Sequence, residues 1–281
     1  MQNRSAFSHR SWLFTPASRP DRFPHGTAPS GADIVILDLE DAVAPADKEH
    51  ARFTALHFLG SKSARSSGAA LRINALDTPA GIADIAAVVQ SDAQPDFVVL
   101  PKTESAAHIR VLDRLLSSAG KRAGLVGLIE SAAGLREAEA IAAASPRLRG
   151  LLFGAADMAA DLGASTAWDA LSHARGRVVS ACALSGVLAI DTPFFDVHDG
   201  DGLASETAKA IAMGFSAKAA IHPNQIPTIN AALTPSAADI EKARAVLREN
   251  AKGVGTVDGQ MIDEAVARKA RRVLQAAGLT G

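Results

Sequence analysis

Asp38 and Glu40 stand two residues apart at the end of the apolar run Ile34-Val35-Ile36-Leu37, and Asp41 follows directly. On an extended chain residues two apart point to the same side, so both carboxylates face one way. Anions at the end of a buried strand repel each other and lose hydration. They persist there beside a cation, an arginine or hydrogen-bond donors. That pattern points to a binding or catalytic rim. Asp41 alone suits a plainer part, since it or Asp47 could cap a helix over about residues 48–59. Glu130 and Asp157 end two further apolar runs, with no thiolate and no histidine pair nearby. Such a pair suits a hard cation. Mg²⁺ fits best, because it keeps several waters and takes the rest of its shell from substrate. The structural alternative is that each carboxylate pairs with an arginine or caps the next helix, and Ser131-Ala132 does open a helical segment.

Arg72 lies between Leu71 and Ile73 and shares a face with neither. Its guanidinium could hold a substrate carboxylate through two parallel hydrogen bonds, or pair with Asp38 or Glu40. Both at once would explain how the opening carboxylates stay charged. Lys102 follows Pro101. A Schiff-base lysine must be neutral in an apolar pocket, whereas this rim is rich in acids, so Lys102 reads as an ion-pair partner. His222, before Pro223-Asn224, reads as a structural hydrogen bonder.

Eight short apolar segments must position these groups: Ser11–Pro16, Ile34–Asp38 and residues 70–74, 97–102, 125–130, 150–157, 187–193 and 217–222. Between them run helical patterns such as Ile82, Ile85, Ala86 and Val89, then Ile109, Leu112, Leu115 and Leu116. Strands alternating with amphipathic helices indicate βαβ units and a parallel sheet. Eight units of roughly 30 residues make about 250, the usual size of an α/β (β/α)₈ TIM barrel. A doubly wound open sheet is the alternative, but no Gly-x-Gly-x-x-Gly loop follows the first strand. In such a barrel the site lies at the carboxyl ends of the strands. Those ends read Pro16 with Arg19, Asp38 with Glu40, Arg72 with Asn74, Lys102, Glu130, Asp157, Asp191 and His222. All eight carry a polar or charged group, which favours an enzyme.

Residues 1–232 account for the barrel, and 233–281 exceed what eight units need. The surplus reads as a helical C-terminal extension. A helix over 235–251, capped by Ser236, shows Ile240, Ala243, Val246 and Leu247 on one face. A Gly253-Val254-Gly255 turn and a last helix from about Asp263 to Ala277 follow. The 281 residues are 48% hydrophobic with a formal net charge of −1. That is ample for a large core and gives no sign of nucleic acid or an anionic membrane as partner. No apolar run is long enough for a membrane span, and residues 1–10 lack a secretory signal, so the cytoplasm is expected. The single cysteine, Cys182, lies in an apolar run and reads as a lone buried thiol. Residues 61–67 read as an exposed loop.

These residues resemble the citrate lyase β-subunit-like family within the HpcH/HpaI aldolase group, on the side of the malyl-CoA and citramalyl-CoA lyases. The matching pieces are Leu13-Phe14-Thr15-Pro16-Ala17, Arg19-Pro20-Asp21-Arg22-Phe23 and Val35 to Val43, then Leu71-Arg72-Ile73-Asn74 and Leu100-Pro101-Lys102. They continue with Ile129-Glu130-Ser131-Ala132, Gly154-Ala155-Ala156-Asp157, Ile221-His222-Pro223-Asn224-Gln225-Ile226 and Gly259-Gln260-Met261-Ile262-Asp263. The resemblance implies a Mg²⁺-dependent CoA-ester lyase with a TIM barrel, assembled as a homotrimer. It makes Glu130 and Asp157 the metal ligands, and Arg72 a contact to the oxoacid part of a CoA thioester substrate. Asp38, Glu40, Arg19 and Lys102 become rim residues on the substrate side. Asp263 becomes an aspartate that reaches a neighbouring subunit's site and supplies a proton. One departure is the segment 22–31, where Pro24, His25 and Pro29 interrupt the smoother, lysine-bearing helix expected there. A metal-dependent pyruvate aldolase is an alternative, as is a citrate lyase β-type subunit acting on a carrier-protein thioester. A non-catalytic scaffold would predict loss of one metal carboxylate, and both are present.

Overall fold

In the computed structural model the described residues are 9–24, 31–61, 65–253 and 255–279. Outside them fall residues 1–8, His25 and Pro29 of the departure noted above, residues 62–64 of the expected loop, and Val254. Each apolar run pairs with the next. The strands are β1 (Ser11–Pro16), β2 (Ile34–Asp38), β3 (Gly68–Arg72) and β4 (Phe97–Leu100). β5 (Gly124–Ile129), β6 (Leu148–Phe153), β7 (Leu188–Asp191) and β8 (Ala217–Ala220) follow. All neighbours are parallel, and the sheet closes in sequence order. At the seam β1 meets β8 in the register Trp12↔Ala219 and Leu13↔Ala220. Just before it, Arg10 bonds Asp33, the residue before β2, and Thr234.

The expected strand ends were too long in several places. β4 stops at Leu100, so Lys102 stands in the loop beyond, and β6 stops at Phe153, so Asp157 lies in the first turn of a helix. The intervening helices are α1 (Lys48–Gly60), α2 (Pro79–Gln90), α3 (Ala106–Ser118), α4 (Ala132–Arg136) and α5 (Ala138–Ala142). They continue with α6 (Ala155–Leu162), α7 (Trp168–Ser185), α8 (Gly200–Met213) and α9 (Ile226–Leu233). The inward face of α2 is rotated from expectation. Gly81, Asp84, Ile85 and Val88 are buried, while Ile82 is exposed. Gly81 sets that rotation, because a Cβ there would strike the backbone at Ala75. Neither Asp41 nor Asp47 caps α1: the Asp47 side chain makes no capping bond, and Asp41 is exposed beside Arg72.

Period-two alternation decides which strand residues reach the barrel interior. Ile36, Ala70, Leu128 and Ile190 pack inside it. Asp38, Arg72 and Glu130 share that parity and rise to the mouth. Asp191, next to Ile190, has the other parity. It faces the helices and does not belong to the rim, which corrects the reading of eight uniform strand ends. There it accepts from Arg175 Nε at 3.1 Å and from Lys218 Nζ at 2.7 Å, all three being buried. Such a network positions β7 against α7, and deleting one partner would cost about 3–5 kcal/mol.

Beyond the barrel, α10 (Ala237–Asn250) and α11 (Glu264–Ala276) pack together with a hairpin of β9 (Gly255–Val257) and β10 (Gln260–Ile262). Ser236 caps α10 as expected, in a reciprocal bond with Asp239. The hairpin was not foreseen; its turn, Asp258-Gly259, has positive φ at both residues, as a tight two-residue hairpin requires. Ala243, Val246, Ile262, Ala270 and Leu274 form a small core separate from the barrel's. A crevice lined by Val187 and Ser216, just before or at the starts of β7 and β8, and by Arg272 and Val273 of α11 lies between the two parts. The extension therefore sits toward the amino ends of the strands, away from the mouth. No helix among the described residues is long and apolar enough to cross a membrane.

Candidate active site

Arg72 is the centre of the mouth. Its Nε donates to Asp38 Oδ1 at 2.6 Å and its Nη2 to Asp38 Oδ2 at 2.6 Å. Nη1 lies 2.8 Å from Glu40 Oε2, and the guanidinium sits 4.8 Å from the centre of the Phe14 ring. Burial alone would lower the Arg72 pKa, but the bond to Asp38 and the charges of Glu40 and Asp41 raise it. The side chain is thus fixed as a cation. Two of its five donors are hydrogen-bonded to Asp38 and Nη1 is ion-paired with Glu40, so the structural pairing holds. Glu40 also accepts from Lys102 Nζ at 2.7 Å, which makes Lys102 the ion-pair partner its setting suggested. Burial pushes the Glu40 carboxyl up, and Arg72 and Lys102 oppose that.

The bend that carries Glu40 is held from beneath. Lys48 Nζ donates to the carbonyls of Leu39 (2.8 Å) and Glu40 (2.9 Å). Asn74 Nδ2 donates to Leu39 O at 3.0 Å and to Asp84 Oδ2 at 2.6 Å. Asp84 in turn accepts from Arg52 Nε at 2.6 Å. Sequence reasoning missed Lys48 and Asp84. An acid among the Ala, Ile and Val residues of α2 was the available signal for Asp84.

Glu130 stands across the mouth, 4% exposed. Its Oε1 accepts the Lys102 backbone N–H at 2.7 Å. Asp157 approaches it from the first turn of α6, close enough for its charge to bear on the Glu130 carboxyl. Gly154 is indispensable to this approach, since a Cβ there would come within 2.8 Å of Glu130 Oε2 and 2.6 Å of its Cβ. Burial raises the Glu130 carboxyl to about 8; Glu40 and Asp157 push the same way, and the Lys102 N–H opposes them. A carboxylate driven toward its neutral form by burial and two other acids would be held charged by a bound cation. The donor set is all oxygen and open to the mouth, so the pair fits a hard divalent ion. Among the described residues no cluster of three or more His, Cys, Asp or Glu could hold a metal, so water and substrate must complete the shell.

The mouth therefore brings together Asp38, Glu40, Arg72, Lys102, Glu130 and Asp157. Arg19 is instead paired with Asp21 in an exposed turn, with bonds of 3.0 and 2.9 Å. Asp263 is exposed on the extension, where it caps α11 by accepting from Val266 N–H at 2.9 Å. His222 caps the turn after β8, its Nδ1 accepting from Asn224 N–H at 3.2 Å, as a structural hydrogen bonder would. Cys182 is buried and its thiol raised to about 12 by desolvation, as an inert thiol should be.

The Glu130 shift makes a testable statement about the protein without metal. A carboxyl whose pKa is higher folded than unfolded holds its proton more tightly in the native state. Its ordinary value is 4.5. Stability is therefore unaffected well below that value and falls as pH rises toward about 8. Glu130→Gln should flatten that fall. In chelator the variant is expected to melt on the order of 5 °C above the parent at pH 8 and level with it at pH 4. Calorimetric melting across pH checks this; parallel curves would mean Glu130 carries no such strain.

The family described as HpcH/HpaI aldolase/citrate lyase matches residues 10–223. L-malyl-CoA/β-methylmalyl-CoA lyase of Rhodobacter capsulatus is 34% identical over an alignment covering 96% of this chain and 94% of that protein. Among solved structures, RipC from Yersinia pestis is 55% identical with a TM-score of 0.75, covering 84% of this chain and 100% of that one. CitE from Mycobacterium tuberculosis, in complex with magnesium, acetoacetate and coenzyme A, is 35% identical with a TM-score of 0.80. It covers 98% of this chain and 100% of that one.

Proposed function

The chain belongs to the HpcH/HpaI aldolase/citrate lyase family, and from that premise we propose a magnesium-dependent CoA-ester lyase. The substrate is a 3-hydroxyacyl-CoA of the malyl-CoA or citramalyl-CoA type, cleaved by retro-Claisen chemistry to an oxoacid and acetyl-CoA. The observation that carries the reading is the carboxylate pair of buried Glu130 with solvent-exposed Asp157, set across one barrel mouth from the fixed cation Arg72. The malyl-CoA lyase relative and the CitE complex with magnesium and coenzyme A support the substrate class and the metal.

Glu130 and Asp157 hold the ion. When bound, magnesium supplies Lewis acidity and a template for the hydroxy-acid end of the substrate. The substrate hydroxyl gives its proton to solvent at the open mouth, and the carbon that bears it becomes the carbonyl of the oxoacid. The electrons of the broken carbon–carbon bond pass to the thioester as its enolate. Arg72, charged and pre-oriented by Asp38 and Glu40, stabilises the negative charge that develops there or on the oxoacid. Lys102 and Glu40 complete the polar rim, and Arg19, in its exposed turn, is the proposed outer contact for the thioester portion. The proton that converts enolate to acetyl-CoA comes from Asp263 of a second copy, within a homotrimer in the cytoplasm. The position of the extension at the amino ends of its own strands supports delivery to a neighbour's mouth.

Incubating the protein with Mg²⁺ and malyl-CoA or citramalyl-CoA should release an oxoacid and acetyl-CoA. If neither thioester is cleaved but pyruvate condenses with an aldehyde, the aldolase reading replaces this one. Delivery in trans has its own test by subunit mixing. Asp263→Ala and Asp157→Ala chains, each nearly inactive alone, should recover part of the activity when exchanged, because some sites then combine two intact halves. Exchange confirmed by mass without return of activity would remove Asp263 from the neighbour's site.

A further inference from the structure

Among the described non-glycine residues, Lys102 and Asp258 alone have positive φ, at 47° and 52°. Asp258 is explained by its hairpin turn, where Asp-Gly is the ordinary sequence. Lys102 has no such explanation. Lysine gains nothing in the left-handed region and pays about 1 kcal/mol for its Cβ there. The neighbouring residue is anchored: Thr103 N–H donates to Leu128 O at 3.1 Å, and Thr103 Oγ1 donates to Leu100 O at 2.8 Å. Those bonds clamp the loop between the ends of β4 and β5 and hold Lys102 in its unfavourable conformation.

That conformation has one visible consequence. It turns the Lys102 N–H onto Glu130 Oε1 at 2.7 Å, while the same residue's Nζ reaches Glu40 Oε1 at 2.7 Å. Gly154 closes the other side of Glu130, near Oε2. The carboxylate is thereby wedged between a backbone donor and a bare Cα, with little freedom to rotate. Strain kept at such a point belongs to the site when the surrounding structure over-determines it.

We infer that Lys102 is a positioning residue whose left-handed backbone, rather than its ammonium group, orients Glu130 for the shared cation. This rests on Glu130 and Asp157 being the magnesium ligands. The side chain has a separate part, tethering Glu40 and through it Arg72. The two parts separate by substitution, because glycine keeps the N–H and accepts positive φ freely, whereas a β-branched residue resists it.

The experiment titrates Mg²⁺ calorimetrically into the parent, K102G, K102A and K102V proteins, each checked for a cooperative melt. All three variants lack the ammonium, so differences among them report the backbone. K102G is expected to bind Mg²⁺ within about threefold of the parent, and K102V about tenfold or more weakly, as loss of a group that orients a metal ligand entails. K102A should lie between, and it serves in place of K102V if valine prevents folding. A purely structural role would shift the melting temperatures and leave the affinities together. Equal affinity in K102G and the Val or Ala variant overturns the inference while leaving the metal site standing. If the parent itself binds no Mg²⁺, the ligand assignment fails and the inference with it.

Discussion

Asp157→Asn is expected to lower magnesium-dependent turnover by roughly three orders of magnitude, the size of a lost Lewis-acid contribution of several kcal/mol. The amide keeps the shape of the carboxylate but not its charge. Glu130 alone, buried and raised toward neutrality, is then left to hold the ion. The variant should nevertheless fold. Asp157 lies at the first turn of α6 and repels Glu130, so removing its charge relieves the protein without metal. Turnover at graded Mg²⁺, beside melting curves in chelator, checks both halves. Retention of the parent's Mg²⁺ dependence would place the ion elsewhere. A collapse of the melting temperature would make Asp157 a structural residue.

The second large effect belongs to Arg72. Arg72→Lys should damage activity nearly as much as Arg72→Ala, because an ammonium cannot reproduce the parallel bonds to both Asp38 oxygens and the contact with Glu40. Asp38 and Glu40 are 1% and 5% exposed. Stripping their cation leaves uncompensated buried charge and costs about 3–5 kcal/mol, so Arg72→Ala should also melt well below the parent. Lysine should restore part of that stability and little of the rate. A lysine variant with near-parental kcat and KM would mean that charge alone is needed.

Much of this site could be read from strand parity. Ile34 to Leu37 announced a buried central strand, and residue spacing alone put Asp38 and Glu40 on one side. The same rule, applied at every strand end, overreached at Asp191. Nothing in the sequence said that Ile190, not its neighbour, faced the barrel interior, and Arg175 and Lys218 were far away in the chain. The breaks at Leu100 and Phe153 did carry a signal, since Pro101 and Gly154 follow the last strand residues directly, and proline and glycine are the residues that most often punctuate a strand. Contacts that depend on two elements meeting, such as Lys48 with Leu39 O or Asp84 with Asn74, are set by helix rotation. Gly81 fixes that rotation for α2, and a hydrophobic pattern alone favoured the wrong face. The left-handed Lys102 was invisible, because lysine carries no preference for that conformation.

The seam between β1 and β8 sets an order on the birth of this molecule. β1 emerges first from a ribosome, yet its outer partner, residues 217–220, is made some 200 residues later. At ordinary elongation rates that is roughly 10 to 40 s during which an open parallel sheet exposes bare edges. Unpaired edges of that kind invite association with other nascent chains. Arg10 is tied in early by its ion pair with Asp33, the residue before β2, and its carbonyl then waits for the Lys218 N–H that β8 brings to the seam. The edge that waits longest for its neighbour thus begins at a residue whose charge is already paired, with its backbone acceptor bare until the last strand of the barrel is made.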